Sequence, residues 1–139
     1  MTIDQSILKF EEKIVFYLRS LYSGYGYKPF KMSKFEEYDL YSKNKDFLVS
    51  EGVITFNDTN GRLLALKPDV TLSIIKNIND VKGNTEKYYY NENVYRARKG
   101  AGEYKEIMQV GLEYIGEVDD YATLEVLLLA QKSLKAISD

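Results

Sequence analysis

Two long strand-like runs separated by a short glycine loop constrain the fold of this chain most strongly. The first run is rich in tyrosine and covers residues 87–98, and the second alternates in polarity over residues 103–115. Residues 99–102, which contain two glycines, join them. Strands connected by so short a loop pair as antiparallel neighbours. The sequence therefore predicts a long hairpin within a mostly antiparallel sheet.

Three helices are predicted around this hairpin. Apolar side chains recur at three- and four-residue spacing over residues 7–22 and again over residues 124–137, which is typical of amphipathic helices. Asp119 or Asp120 is a suitable cap for the last helix. A shorter helix opens at Asp69, directly after a proline, which is a common start signal.

Shorter extended segments complete the pattern. Residues 53–56 and 62–66 predict a second hairpin, and its turn contains the Asn-Gly pair that favours positive backbone angles. Residues 27–30 are predicted to be extended, and residues 33–52 to form an irregular connector with room for short elements. This order of elements predicts an α+β fold, in which helices flank one side of a mostly antiparallel sheet.

Composition excludes several classes of function. The chain has 139 residues with no cysteine and no histidine, so disulfides, Cys/His zinc sites and histidine-based acid–base schemes are ruled out. No metal or cofactor is predicted. A net charge of −2 argues against nucleic-acid binding through bulk electrostatics. Without a signal-peptide pattern or an apolar run of membrane-spanning length, we expect a cytoplasmic protein and no membrane partner.

The second long run separates into two faces. One face is entirely apolar and is predicted to lie on the core: Met108, Val110, Leu112 and Tyr114. The other face carries Gln109 and Glu113 on either side of Gly111, and a glycine there lets a ligand approach the backbone. The exposed face of a half-buried sheet alternates in the same way, so this pattern alone leaves both interpretations open.

Charged and polar side chains from two other segments are predicted to lie near this face. Arg96 and Arg98 have the matching parity, and a guanidinium beside a carboxylate suits either a zwitterionic ligand or a simple cross-strand ion pair. Asp69 and Thr71 could accept hydrogen bonds from a ligand ammonium, or could cap the helix that they begin. Capping is the stronger interpretation when this segment is taken alone.

Two segments together resemble the catalytic core of class II histidyl-tRNA synthetases. One is Leu64-Ala65-Leu66-Lys67-Pro68-Asp69-Val70-Thr71, and the other is an arginine strand, a glycine loop and the Gln109-x-Gly111-x-Glu113 strand of the family's second motif. Synthetases normally have Arg-Pro-Glu-Gly-Thr at the first segment. Residues 35–42 resemble a paralogous family, the ATP phosphoribosyltransferase regulatory subunits (HisZ). The resemblance covers residues 1–139 as the N-terminal part of one core, with motifs 1 and 2 and without motif 3.

The resemblance implies a histidine-binding pocket and no catalytic residue. Asp69 and Thr71 match the family residues that hold the amino group of histidine. Gln109 and Glu113 match residues that also contact the amino acid. Arg96 matches the motif 2 arginine, which contacts the carboxylate or, in synthetases, the α-phosphate of ATP.

Departures from the synthetase pattern imply a regulator. Arg98 stands where the second motif normally has an acidic residue, and Glu103 and Lys105 occupy a loop that usually carries arginines, so support for a triphosphate is weak. The resemblance then implies a non-catalytic regulatory subunit of ATP phosphoribosyltransferase, at the first step of histidine biosynthesis. It would bind histidine as a feedback effector and activate the short-form catalytic subunit, as a homodimer within a hetero-oligomer.

Two alternatives remain open from the sequence. One is a histidyl-tRNA synthetase or its catalytic fragment, which activates histidine with ATP. The other is a free-standing amino-acid-binding or dimerisation module. The aromatic side chains between residues 25 and 41 suit either a subunit interface or the core of this domain.

Overall fold

A computed structural model describes residues 4–44, 52–78, 83–97 and 102–138. After a short 3-10 turn at Gln5–Ile7, its helices and strands are α1 Phe10–Gly24, β1 Lys28–Pro29, β2 Phe35–Glu37, α2 Tyr38–Lys43, β3 Thr55–Asn57, β4 Leu63–Leu66, α3 Thr71–Asn77, β5 Glu86–Ala97, β6 Tyr104–Ile115 and α4 Asp120–Ser138. Helices and strands in this order confirm the predicted α+β class. No helix among the described residues is both long enough and apolar enough to span a bilayer.

The described strands form two three-stranded sheets where the sequence predicts one. The first has the order β1-β5-β6 and contains the long predicted hairpin, with β1 parallel to β5. The second has the order β2-β4-β3 and is antiparallel throughout. The second sheet was not predicted because β2 lies within the segment expected to be irregular, as does α2. Their short runs of three and six residues leave little periodicity to detect.

The chain divides into two compact units. Unit 1 comprises Met1–Pro29, Val81–Tyr90 and Val110–Asp139, and unit 2 comprises Phe30–Asp80 and Asn91–Gln109. Strands β5 and β6 contribute residues to both units.

Unit 1 has a core rich in tyrosine between α1, α4 and the first sheet. Its buried side chains are Leu18, Tyr22, Tyr27, Tyr89 and Leu129. The hydroxyls of Tyr22 and Ser133 hydrogen bond at 2.8 Å, which satisfies a polar group that burial would otherwise penalise. The predicted apolar face of β6 is confirmed for Val110, Leu112 and Tyr114, which pack against this core.

Unit 2 contains the smaller sheet and the short helices α2 and α3. The predicted hairpin is present, with Thr55 paired to Ala65, and Gly61 has φ +79° in the turn. Its core cluster is Tyr41, Ala65 and Leu72. Met108, on the face of β6 predicted to be buried, is 50% exposed.

Candidate functional site

The segment between β4 and α3 is held firmly at Lys67. Its backbone N–H donates to the carbonyl of Lys34 at 2.9 Å, and its carbonyl accepts from the N–H of Tyr95 at 2.8 Å. These bonds tie the end of β4 to both neighbouring segments of unit 2. The Lys67 side chain is consequently completely enclosed, with 0% exposure.

The buried ammonium of Lys67 has a carboxylate partner. Its Nζ lies 2.8 Å from Oε2 of Glu92, whose side chain is 19% exposed. A buried charge without such a partner would be very costly. The pair therefore neutralises the cation that precedes Pro68 and fixes it against β5.

Arg96 and Asp69 lie on either side of Pro68. The Nε–H of Arg96 donates to the Pro68 carbonyl at 3.2 Å, which brings the β5 guanidinium to the start of α3. Oδ1 of Asp69 accepts from the backbone N–H of Leu72 at 3.3 Å, which satisfies one donor of the first turn. The helix itself begins at Thr71 with Val70 as its N-cap residue, two residues later than the predicted start at Asp69. A carboxylate has about four acceptor directions, so this bond does not exclude a ligand ammonium. Thr71, half-buried, begins α3.

Contacts between β5 and β6 are seen separately in each unit. In unit 2 the amide of Asn93 and the hydroxyl of Tyr95 donate to Oε1 of Glu106 at 2.6 and 3.1 Å. In unit 1 Tyr90 lies against Gly111. Because side chains alternate along each strand, we expect Glu92, Arg96 and the half-buried Gln109 on the face of unit 2 opposite Glu106.

The space above Gly111 is occupied by a side chain of the same unit. A Cβ built on Gly111 would meet the hydroxyl of Tyr90 and lie 2.6 Å from its Cζ. The sequence interpretation, in which this glycine opens the backbone to a ligand, differs from what is observed. Packing a cross-strand aromatic ring over a glycine buries apolar area that the glycine cannot supply.

The predicted site residues divide between the two units. Asp69, Thr71, Arg96 and Gln109 belong to unit 2, and the first three lie around Pro68. Glu113, partly buried, belongs to the portion of β6 in unit 1. Arg98 lies outside the described residues.

Two buried hydroxyls near the start of α3 were not predicted from the sequence. Tyr41 and Ser73 are each 0% exposed, and neither hydroxyl has a hydrogen-bond partner among the described residues. Burial raises the pKa of Tyr41 to about 12, and the negative charges of Glu36 and Asp69 add to this shift. Ser73 lies between Leu72 and Ile74 on the buried side of a short helix, so periodicity gave no signal for a polar role.

Lys67 and Glu92 are the second pair that the sequence interpretation passed over. A lysine is almost never fully buried unless it is paired, so the sequence carried no signal for the enclosure of Lys67. Chemically, the carboxylate of Asp69 and the guanidinium of Arg96 complement the two charges of an amino acid. Within the described residues, no group of three or more potential metal ligands is present.

Comparison with known proteins places the chain in a family. The family model described as "Histidyl-tRNA synthetase" matches residues 4–138. A histidine–tRNA ligase of Archaeoglobus fulgidus is 32% identical over 124 residues, covering 86% of this chain and 30% of that protein. An ATP phosphoribosyltransferase regulatory subunit of Ruminiclostridium cellulolyticum is 27% identical, with the same two coverages.

A solved structure shows the same fold. The ATP phosphoribosyltransferase (HisG:HisZ) complex from Thermotoga maritima contains a chain that matches with a TM-score of 0.68 and 23% identity, covering 93% of this chain and 42% of that one. The chain thus spans about 30% of the length of the curated relatives that it matches. It belongs to the histidyl-tRNA synthetase family, as a partial class II synthetase-like chain with HisZ-like relatives.

Proposed function

We propose that the chain is part of a non-catalytic regulatory subunit of ATP phosphoribosyltransferase. The protein would bind histidine as a feedback effector and activate the short-form catalytic subunit, at the first step of histidine biosynthesis. Relatives with this name support the proposal, as does the structural similarity to the HisG:HisZ complex.

The observation that carries the proposal is the Lys67–Glu92 pair. An enzyme that activates a substrate with ATP needs positively charged groups that can contact the phosphates. In this chain the cation at the Lys-Pro-Asp segment is fully enclosed and bound to a carboxylate at 2.8 Å. Such a pocket can still bind an amino acid, but its Lys67 cation is not available to a phosphate. This suits a sensor, in which ligand binding changes the free energy of interaction with a partner.

The proposed effector site lies in unit 2. In it, Asp69 and Thr71 accept hydrogen bonds from the amino group of histidine, and Arg96 binds the carboxylate. Gln109 completes the recognition of the amino acid, and Glu113, in unit 1, stays a prediction from the resemblance. The Pro68 carbonyl supports this assignment, because its bond to Arg96 at 3.2 Å holds the guanidinium beside the Asp69 segment.

Co-purification with a short-form catalytic subunit tests the regulatory role. We expect the two chains to elute together and the activity of the catalytic subunit to rise when this chain is added. Bovine serum albumin at the same concentration controls for unspecific stabilisation. Separate elution together with unchanged activity would contradict the proposed partnership.

Calorimetric titration with histidine tests the site. We expect Asp69→Asn to weaken binding about 10- to 100-fold, since a charge-assisted hydrogen bond is lost. Asp39→Asn is the matched control, because this carboxylate on α2 is 72% exposed and lies 3.5 Å from the ammonium of Lys43. Equal affinities of wild type and Asp69→Asn would remove Asp69 from the site.

A histidine–tRNA ligase activity is the second candidate. Its support is the 32% identity to the Archaeoglobus fulgidus ligase, which exceeds the identity to the regulatory subunit above. Histidine-dependent exchange of pyrophosphate into ATP distinguishes the two candidates. Exchange above the level of a chain-free control would favour the ligase, and its absence alongside histidine binding would favour the regulator.

A further inference from the structure

A basic groove runs between the two long helices of unit 1. It is open to solvent, has a volume of about 440 Å³ and is lined by Lys13, Ile14 and Tyr17 of α1 and by Lys132, Lys135 and Ala136 of α4. The lining residues recur at three- and four-residue spacing on each helix, so each helix presents one continuous strip to the groove. The lining therefore combines apolar side chains with three lysines.

The charge of this groove contrasts with that of the whole chain. Three of its six lining residues are lysines and none is acidic, whereas the chain has a net charge of −2. The potentials of like charges placed close together add, so the local potential is positive and favours an anion between them. The groove is therefore an electropositive cavity on an acidic protein.

Lys132 is positioned within this cavity by a neutral partner. Its Nζ donates to the hydroxyl of Tyr25 at 2.9 Å, and this bond raises the pKa of Lys132 above its usual value. The ammonium thus keeps its full charge near neutral pH and is oriented without being neutralised. The charge of Lys67, in contrast, is neutralised by the carboxylate of Glu92.

We propose that this groove binds a small polyphosphate anion through Lys13, Lys132 and Lys135. The volume falls in the range of small-molecule sites, about 300–1,000 Å³. Lysines bind phosphate as point charges with three donors each, and the phenol of Tyr17 adds a further donor. Three separated ammonium groups match several linked phosphates better than one, so the preferred ligand has two or three phosphate groups.

Titration of the full chain with sodium triphosphate, diphosphate and orthophosphate tests the proposal. At low ionic strength we expect affinity to fall in that order, and to fall again in 300 mM salt. Lys132→Met keeps the aliphatic stem but removes the charge, and we expect it to weaken triphosphate binding about threefold to tenfold. Lys132→Arg retains the charge and should bind within about twofold of wild type.

Lys28→Met is the matched control, because Lys28 is an exposed lysine of the same unit that does not line the groove. We expect it to leave triphosphate affinity unchanged. Equal weakening in Lys28→Met and Lys132→Met would overturn the proposal, since binding would then follow net charge alone. Absence of binding, or much tighter binding of a single-stranded oligonucleotide than of triphosphate, would overturn it as well. Histidine affinity, measured in parallel, reports separately on the proposed effector site.

Discussion

Each unit contains a lysine–glutamate pair of almost the same length, yet their surroundings are opposite. Lys67 and Glu92 in unit 2 lie 2.8 Å apart with side-chain exposures of 0% and 19%. Lys87 and Glu125 in unit 1 lie 2.7 Å apart with exposures of 25% and 25%. Water can screen the second pair and cannot reach the lysine of the first. Similar geometry therefore has very different energetic consequences in the two units.

The cores around the two ion pairs also differ between the units. Unit 1 buries tyrosine rings, and Lys87 lies 5.2 and 5.4 Å from the ring centroids of Tyr27 and Tyr114. Among the described residues, the fully buried polar side chains, Lys67 and Ser73, both belong to unit 2. Buried polar groups are costly unless they are satisfied. In unit 2 this cost falls on Lys67 and Ser73, near the proposed effector residues. In unit 1 it falls on the buried hydroxyl of Tyr27, which has no hydrogen-bond partner among the described residues.

The largest expected effect is the loss of the enclosed ammonium. Lys67→Met leaves Glu92 without its partner, and we expect the free energy of unfolding to fall by about 3–5 kcal/mol. Replacing both residues, as Lys67→Met with Glu92→Leu, should recover most of this loss. Urea denaturation followed by circular dichroism measures both changes.

The pair in unit 1 provides the control for this comparison. Lys87→Met should cost only about 1–2 kcal/mol, because the remaining Glu125 keeps access to water. Equal losses for Lys67→Met and Lys87→Met would break the contrast between the units. Such equal losses would show that the burial of Lys67 does not increase the contribution of its ion pair to the free energy of unfolding.

Substitution of Gly111 tests whether this glycine serves the packing of Tyr90 or the binding of a ligand. In Gly111→Ala the new Cβ must displace the Tyr90 ring, at a cost of about 1–3 kcal/mol. Gly24→Ala is the control, since a Cβ on Gly24 meets nothing within 4 Å and alanine favours the helix. If Gly111→Ala instead preserved stability and abolished histidine binding, the glycine would serve the ligand and not the packing of unit 1.

Much of the fold could be predicted because its long elements carry strong patterns. The period of α1 and α4 and the alternation of β5 and β6 extend over 12 residues or more. The second sheet could not be predicted, since β2 has three residues and its pairing with β4 depends on contacts distant in sequence. Local patterns identify long elements, and tertiary contacts determine short ones.

The candidate site shows the same limit. Parity along β5 and β6 predicts that Arg96 and Gln109 share one face, and this stays a prediction. The bond from Arg96 to the Pro68 carbonyl and the enclosure of Lys67 depend on the distance between β4 and β5, which no local pattern encodes. The polar character of the Tyr41 and Ser73 environment was missed for the same reason.

The buried phenol of unit 2 predicts a loss of stability in alkali. The pKa of Tyr41 is raised to about 12 in the folded chain, against about 10 when unfolded. The contribution of the neutral Tyr41 phenol to the free energy of unfolding is fully present below pH 10 and is lost as the pH rises towards 12. By pH 11 we expect wild type to lose about 1–2 kcal/mol more than Tyr41→Phe.

Tyr121→Phe controls for alkaline effects unrelated to burial, because Tyr121 is 84% exposed. Unfolding in urea at pH 8, 10 and 11 measures the three chains. Tyr27 of unit 1 is shifted in the same direction, mainly by burial, so Tyr27→Phe extends the comparison. Parallel alkaline losses in wild type and Tyr41→Phe would show that the Tyr41 phenol does not contribute.

The smallest expected effect compares two aspartates at helix starts. Oδ1 of Asp119 accepts from the N–H of Ala122 at 2.8 Å in unit 1, whereas Asp69 accepts from Leu72 at 3.3 Å in unit 2. We expect Asp119→Ala to cost about 1 kcal/mol of stability through the lost cap and to leave histidine affinity unchanged. Asp69→Ala should cost less stability, because its bond is longer, and should abolish most of the binding. The reverse outcome would make Asp69 a cap alone and would move the ligand-binding role away from unit 2.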